Sequence, residues 1–184
     1  YWAEQVIAAF SAYMEECGVR GYNEVDGSGD LRHIVVREVE GNFIVTAVTA
    51  KNSLPYADRL AAQLKEKFKS FALWQNVNDG SGNGVFGKTF RLLYGERRFA
   101  GHECGVRFEA GPNTFLQVNR SVCRKLYERT VRCALECGAE VAIDAYSGGG
   151  LLTAMLAKQV GKAYGIEVVA EASECANGLI EPNK

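Results

Sequence analysis

The sequence is poor in proline and histidine, with 3 prolines and 2 histidines among 184 residues. So little proline, together with 47% hydrophobic residues, excludes a disordered or collagen-like chain and leaves ample material for a packed core. No run of 18 apolar residues occurs, which excludes a transmembrane helix. No basic segment followed by an apolar stretch opens the chain, and we therefore expect a cytoplasmic protein.

A large excess of charge of one sign is also missing. The formal net charge is −1 and the pI is near 6.2, so no global positive field indicates a nucleic-acid ligand. Cations nevertheless cluster between residues 120 and 132, where five of them accompany the single acid Glu128: Arg120, Arg124, Lys125, Arg129 and Arg132. Such a cluster is typical of phosphate binding or of a solvated helix face, and Arg32 adds a cation elsewhere.

The cysteines lack the spacing of a metal site. The chain contains no C-x-x-C pair, which is the spacing typical of zinc and iron–sulfur sites. Cys133 and Cys137 lie four residues apart, but with only two histidines in the chain we do not expect a four-ligand site there, and we predict no metal. We expect all six cysteines to be reduced and to pack as small hydrophobes. No sequence neighbour activates any of them as a nucleophile: Cys17, Cys104, Cys123, Cys133, Cys137 and Cys175.

Two patterns of secondary structure meet near Gly111 and Pro112. Residues 1–112 predict a mixed α+β domain with mainly antiparallel strands, beginning with a helix from Trp2 to Cys17 and a short strand from Tyr22 to Val25. Residues 113–184 alternate helix, strand, helix, strand and helix. That alternation is typical of the first half of a Rossmann-like, doubly wound α/β domain.

A glycine-rich turn follows the predicted strand Val141–Tyr146. Its three glycines, residues 148–150, let a ligand approach the backbone closely, and Glu167 ends the next predicted strand 17 residues after Gly150. A carboxylate there suits a ribose diol, which indicates an adenosine-bearing cofactor; the alternative is a plain βα turn without a ligand. Thr153 replaces the third glycine of the NAD fingerprint, and no Walker A lysine follows.

Three segments carry a resemblance to a known family. Asn113–Asn119 reads NTFLQVN, Asp144–Gly150 reads DAYSGGG, and Gly165–Glu167 reads GIE. In this order and spacing they resemble the RNA uracil-5-methyltransferases, which use S-adenosylmethionine to form 5-methyluridine in tRNA and 23S rRNA. Gly29–His33 (GDLRH) and Gln75–Asn78 (QNVN) resemble further segments of that family, so the likeness covers nearly the whole chain.

The resemblance implies specific binding residues. The positions that match the family's cofactor contacts are Gln117, Tyr146, Gly148, Gly150 and Glu167, with Glu167 on the ribose hydroxyls. Leu151 departs from the family, which often has a polar residue there. Phe115 matches a position that faces the target nucleotide. Together with Arg32 and two cations of the 120–132 cluster, it makes up the predicted RNA contacts: Phe115, Arg32, Arg120 and Arg124.

The resemblance also implies a reaction whose nucleophile is not among the six cysteines. In the family a cysteine thiolate adds to carbon 6 of uracil, and carbon 5 then accepts the methyl group. That cysteine lies past the fourth strand of the methyltransferase sheet, beyond Lys184. We therefore predict no catalytic residue here, a chain truncated at both ends and inactive alone, and 23S rRNA rather than tRNA as the substrate.

A half sheet leaves an open strand edge, which predicts pairing with another chain or poor order of the C-terminal part.

Two other functions stay open. A nicotinamide-dependent oxidoreductase with a degenerate glycine motif is disfavoured by Thr153 and by the segment at 115–119. A non-catalytic RNA-binding module is the other alternative.

Overall fold

The computed structural model describes residues 1–80 and 82–179 and divides the chain into two compact units, Tyr1–Arg97 and Arg98–Lys184. The sequence placed the boundary at residue 112, and the structure places it earlier. The reason is a hairpin formed by Phe99–Glu103 and Val106–Ala110, whose second strand contacts helices that follow it in the chain. Residues 98–112 therefore belong to the second unit.

The first unit combines two helices with a four-stranded sheet. Its elements are α1 (Trp2–Cys17), β1 (Leu31–Val39), β2 (Asn42–Thr49), α2 (Ala57–Lys65), β3 (Phe71–Val77) and β4 (Thr89–Tyr94). The strand order is β1-β2-β3-β4, with antiparallel pairs at both sides and a parallel pair, β2 and β3, in the middle. The prediction of mainly antiparallel strands is confirmed, and the middle pair is parallel because α2 connects its two strands as a crossover.

The predicted first helix is confirmed, whereas the predicted strand at Tyr22–Val25 is wrong. α1 buries Val6, Phe10 and Tyr13 in the core and ends at Gly18, whose φ of 66° gives the left-handed C-terminal cap. Residues 22–25 form a loop instead of a strand. The side chains of Asn23 and Asp26 accept hydrogen bonds from backbone N–H groups two residues on, which is the local geometry of a turn.

The loop between β3 and β4 is fixed at its base by buried asparagines. The Asn76 side chain donates to the carbonyls of Gly87 and Thr89 and accepts from the Gly87 N–H, and Asn78 donates to the Gly84 carbonyl. Gly87 lies so close to β3 that a Cβ atom there would be 1.8 Å from the Val77 carbonyl oxygen. The sequence motif at Gln75–Asn78 thus has a structural role in the first unit.

The second unit contains a hairpin and a parallel βαβ element. Its elements are β5 (Phe99–Glu103), β6 (Val106–Ala110), α3 (Arg120–Glu136), β7 (Val141–Asp144), α4 (Leu151–Ala157), β8 (Lys162–Gly165) and α5 (Ala170–Asn177). Strands β5 and β6 are antiparallel, whereas β7 and β8 are parallel and joined by α4. The alternation predicted beyond residue 112 is confirmed, with strands somewhat shorter than expected.

One face of the β7–β8 pair is apolar and open. The register places Ile143 beside Tyr164, and Val141 and Ile166 extend the same face. These four side chains are 48–65% exposed. The opposite face carries Ala142 and Ala163 against α4. In the described part of the second unit β7 pairs only with β8, so the predicted open edge is present, while its pairing with another chain stays a prediction.

Within residues 1–80 and 82–179, none of the helices combines the length and the apolar character that crossing a membrane requires.

The substitution Gly87→Ala should lower the stability of the first unit, because the new methyl group would overlap the Val77 carbonyl oxygen. We expect a loss of about 2 kcal/mol or more in the free energy of unfolding, measured by urea denaturation. Gly82→Ala is the matched control in the same loop, since nothing lies within 4 Å of a Cβ atom there. Equal stabilities of the two variants would show that the loop does not hold this close contact.

Candidate cofactor site

The glycine turn lies where β7 ends and α4 begins. Gly148 and Gly150 have φ angles of 53° and 83°, a region that residues with a Cβ atom adopt only with strain. Gly150 also packs closely, because a Cβ atom there would lie 2.7 Å from the Cβ atom of Ala176 on α5. A Cβ atom on Gly148 would meet nothing within 4 Å. The two glycines thus differ: Gly150 permits helix packing, and Gly148 presents an open backbone.

The Glu167 side chain folds back onto this turn. Its Oε2 atom accepts a hydrogen bond from the Gly148 N–H at 2.8 Å, and its Oε1 atom accepts one from the Val169 N–H at 2.7 Å. These N–H groups, Val169 first, lower the pKa of Glu167 below its ordinary value, so the carboxylate is ionised at neutral pH. A carboxylate offers about four acceptor positions, and the bonds to Gly148 and Val169 leave acceptor capacity for a ligand.

The segment Asn113–Asn119 runs beside the same turn. A Cβ atom on Gly149 would lie 3.6 Å from the methyl carbon of Thr114. Further along the segment, the Gln117 side chain is exposed. Asn119, rather than Gln117, caps α3 by accepting from the Val122 N–H at 3.2 Å.

Tyr146 belongs to the turn and points to solvent, with 94% of its side chain exposed. Such exposure shows that Tyr146 is not part of the hydrophobic core. The structure thus joins Glu167 directly to Gly148, places Gly150 in the same turn, and leaves Tyr146 at the surface of the turn.

Sequence reasoning missed one group of side chains at this site. The Thr153 hydroxyl, on the first turn of α4, donates to Oδ2 of Asp144 at 2.8 Å. Gly165 on β8 makes room for this contact, since a Cβ atom there would lie 3.0 Å from the Thr153 hydroxyl and 2.9 Å from that of Ser147. Thr153 served only to exclude an NAD fingerprint in the sequence, and the facing glycine gave no signal of its own.

The prediction that Arg32 contacts RNA is not supported by its environment. Its side chain is only 3% exposed and pairs with Glu24 at 3.1 Å. The guanidinium also donates to the carbonyls of Asn78 and Gly80 and lies 4.6 Å from the centroid of the Tyr22 ring. Arg32 therefore holds two loops of the first unit together, and we do not retain it as an RNA contact.

Arg120 and Arg124 are paired with a buried carboxylate. Glu103 at the end of β5 is 7% exposed; Arg124 Nη2 lies 3.1 Å from its Oε1 atom, and Arg120 Nε lies 3.4 Å from its Oε2 atom. The two arginines attach α3 to the β5–β6 hairpin, which reduces their availability to phosphate. Phe115 is 70% exposed and remains a candidate for contact with a base.

A shallow cavity of about 310 Å³ lies elsewhere in the second unit, between α3 and α4. Its lining includes Cys104, Arg132, Leu135 and Met155, and none of the predicted cofactor residues. The candidate site is therefore the glycine turn at the carboxyl ends of β7 and β8. Residues of three sequence motifs lie together there, whereas the cavity is lined by residues of none of them.

Replacing Glu167 by Gln should change how stability depends on pH. Because backbone N–H groups lower the pKa of Glu167 below its ordinary value of 4.5, its ionised form stabilises the fold above that pH. This contribution is lost as the pH falls through the lowered pKa. Between about pH 6 and pH 3 the wild type should lose more thermal stability than Glu167→Gln, as measured by circular dichroism.

Glu140→Gln is the control, because Glu140 is an exposed carboxylate just before β7. It should retain the pH dependence of the wild type. Parallel curves for the wild type and Glu167→Gln would contradict the hydrogen bonds to Gly148 and Val169.

The chain is similar in sequence to bacterial proteins named RNA methyltransferases. No family profile matches the chain. Over 169 residues it is 32% identical to a Listeria monocytogenes protein named an uncharacterized RNA methyltransferase. The aligned segment covers 91% of this chain and 37% of the relative. A protein of the same description from Oceanobacillus iheyensis is 36% identical over 173 residues, with 92% and 38% covered. The chain thus spans less than two fifths of the length of these relatives.

Solved structures show the same likeness in fold. The tRNA (uracil-54, C5)-methyltransferase of Pyrococcus abyssi, determined with S-adenosyl-L-homocysteine, matches with a TM-score of 0.80 at 23% identity, over 100% of this chain and 44% of that one. A putative S-adenosylmethionine-dependent methyltransferase of Streptococcus mutans matches with a TM-score of 0.50 at 13% identity, over 89% and 41%. The comparisons therefore confirm the resemblance to RNA methyltransferases that the motifs indicated, over somewhat more than a third of the length of such a protein.

Proposed function

We propose that the second unit binds S-adenosylmethionine and that the chain forms the cofactor-binding part and an adjoining domain of an RNA uracil-5-methyltransferase. The observation that carries this proposal is the Glu167 carboxylate, held by two backbone N–H groups beside an open glycine turn. A fixed, ionised carboxylate with free acceptor positions at the end of a parallel strand suits the two hydroxyls of a ribose.

The other residues of the turn fit the rest of an adenosine-bearing molecule. Gly148 has no Cβ atom and open space above its backbone, so a ligand is able to approach it closely. Tyr146 presents an exposed aromatic ring next to the turn, and Gln117 adds an exposed amide from the neighbouring segment. When bound, S-adenosylmethionine supplies a methyl group that a sulfonium makes electrophilic.

The proposal assigns no nucleophile to the chain. Burial is the main cause that raises the pKa of Cys104, Cys123 and Cys175, so none of these thiols is poised as a thiolate. The family resemblance implies that none of the six cysteines matches the nucleophile, so the reaction proposed for the whole protein, addition of a thiolate to carbon 6 of uracil, takes its cysteine from elsewhere. We expect the chain alone to bind the cofactor and to transfer no methyl group.

RNA is the proposed substrate because the Listeria monocytogenes and Oceanobacillus iheyensis relatives are both named RNA methyltransferases. Carbon 5 of a uridine is the proposed acceptor, in agreement with the sequence motifs. The sequence-based preference for 23S rRNA over tRNA stays a prediction. The alternatives of an NAD-dependent oxidoreductase and a non-catalytic RNA-binding module are separated from this proposal by the ligand tests below.

The 184-residue chain should bind S-adenosylhomocysteine, measured by calorimetry or by shifts in ¹⁵N NMR spectra. Glu167→Gln should weaken binding by about tenfold or more, because a neutral amide accepts hydrogen bonds from the ribose hydroxyls less strongly than a carboxylate does. Glu140→Gln, which removes an equal charge at the opposite end of β7, should bind as the wild type does. Binding of NAD in place of S-adenosylhomocysteine would overturn the proposal, as would equal affinities of the two variants.

Association with RNA should weaken as salt increases, because phosphate contacts release counterions. Lys125 and Arg132 lie on the exposed face of α3 and do not share the ion pair with Glu103. The double variant Lys125→Gln/Arg132→Gln should bind a uridine-rich RNA more weakly and with a shallower salt dependence, measured by fluorescence anisotropy. Lys67→Gln on the first unit is the control. Salt-independent binding, or an unchanged slope in the double variant, would contradict RNA contact through α3.

A further inference from the structure

One buried carboxylate holds two exposed arginines in the second unit. The Glu103 side chain is 7% exposed, whereas those of Arg120 and Arg124 are 44% and 60% exposed. Oε1 of Glu103 accepts hydrogen bonds from Nε and Nη2 of Arg124 at 3.2 and 3.1 Å, and its Oε2 atom lies 3.4 Å from Nε of Arg120. A surface arginine ordinarily samples many rotamers, so this shared contact restricts two such side chains at once.

The carboxylate itself stands on a rigid hairpin. Glu103 ends β5 and pairs with Val106, the buried first residue of β6. The two residues of the turn between them, Cys104 and Gly105, have φ angles of 51° and 73°. Left-handed angles at both positions are typical of the tight two-residue hairpin turn, which allows little movement. The position of Glu103 is therefore set by the hairpin, and the two guanidinium groups take their positions from Glu103.

The backbone that carries the arginines is fixed as well. Arg120 is the first residue of α3 and Arg124 follows one turn later, so the two side chains share a face of the helix. Asn119 caps this end of α3 by accepting from the Val122 N–H. The first turn of a helix carries a partial positive charge, which adds to the positive potential of the two arginines.

The contacts with Glu103 do not use all the donors of the two arginines. Among the described residues, these contacts involve Nε of both side chains and Nη2 of Arg124, and leave Nη1 of both and Nη2 of Arg120. Two cations and one carboxylate give the cluster a net charge of +1, which opposes the single negative charge of a phosphodiester. The planar guanidinium also presents its N–H groups in a fork that matches the geometry of phosphate.

We propose that Arg120 and Arg124 bind one phosphate of an RNA backbone through these remaining donors, with Glu103 as their positioning residue. This inference rests on the proposed function, since it requires RNA as the substrate. A buried carboxylate without a partner is strongly destabilising, so the arginines keep their contacts with Glu103 when a phosphate arrives. The ion pairs thus reduce the number of donors available to phosphate and fix the direction of the others.

The substitution Glu103→Gln distinguishes positioning from simple electrostatics, because the two predict opposite results. It removes a negative charge, which by itself would strengthen binding to RNA. We expect instead about fivefold weaker binding of a fluorescein-labelled oligouridine RNA, measured by fluorescence anisotropy, because the two arginines lose their fixed geometry.

Glu128→Gln is the matched control for charge. Glu128 is an exposed carboxylate on α3, one turn beyond Arg124, so its removal changes the net charge of the chain equally. This variant should bind the oligouridine RNA at least as tightly as the wild type does. Binding by Glu103→Gln that equals or exceeds binding by Glu128→Gln would overturn the role of Glu103.

Arg124→Lys provides a variant that keeps a positive charge beside Glu103 and so protects the fold. Lysine lacks the planar fork, and a side chain that pairs with Glu103 through one ammonium has no fixed second group for a phosphate. We expect about threefold weaker binding of the same RNA. An affinity equal to that of the wild type would contradict phosphate binding by Arg124.

The salt dependence of binding reports how many phosphates the pair contacts. For a single-stranded RNA, the slope of log affinity against log salt concentration changes by about 0.7 for each phosphate contact. The double variant Arg120→Gln/Arg124→Gln should therefore have a slope that is shallower by about 0.7. An unchanged slope would overturn the phosphate site, and a change of about twice this size would overturn the single shared phosphate.

Titration of each variant with S-adenosylhomocysteine, followed by NMR, separates this inference from the proposed function. Weaker binding of RNA by Glu103→Gln, with unchanged binding of S-adenosylhomocysteine, supports the positioning role. If the wild type binds RNA and Glu103→Gln binds it equally well, the positioning role is wrong and RNA binding stands. If Glu103→Gln loses both ligands, Arg124→Lys decides. If the wild type binds S-adenosylhomocysteine and no RNA, the phosphate site fails and cofactor binding stands.

Discussion

The hydrogen bonds from the Gly148 and Val169 N–H groups to the Glu167 carboxylate tie the end of β8 to the turn that follows β7. Parallel pairing of the two strands brings their carboxyl ends to one edge, and α4 is the crossover that makes this pairing possible. Every other feature of the candidate site depends on that edge. A backbone hydrogen bond from the Ser147 N–H to the Ile166 carbonyl, at 3.0 Å, adds a second tie between the glycine turn and the neighbouring strand.

The open apolar face of the β7–β8 pair follows from the same architecture. Parallel sheets are usually covered on both faces, and here α4 covers one. Ile143 and Tyr164 side chains lie exposed on the other. A two-stranded sheet has little stability by itself, so the site depends on α4 and α5 for its rigidity. Gly150, packed against Ala176, is the point at which α5 meets the turn.

Charge in this protein is organised largely by internal pairing. Arg32 in the first unit is buried among loop carbonyls, and Arg120 and Arg124 in the second unit share the carboxylate of Glu103. The buried charges of Arg32 and Glu103 need partners of opposite charge, because an unpaired charge inside the protein is strongly destabilising. Arginines that look like RNA contacts in the sequence therefore have structural roles. Asp144 is the opposite case, since its carboxylate has a hydroxyl donor and no cation among the described ion pairs.

Local patterns were sufficient to predict α1, α3 and the strand–turn–helix at 141–157, because helix periodicity and glycine turns depend on neighbouring residues. The motif at Asp144–Gly150 and the acidic residue at 167 were equally readable. Tertiary structure alone decided the unit boundary at Arg97, the burial of Arg32 and the pairing of Thr153 with Asp144. These features join residues distant in sequence, and their energies depend on which groups packing removes from water, a quantity that no local pattern contains.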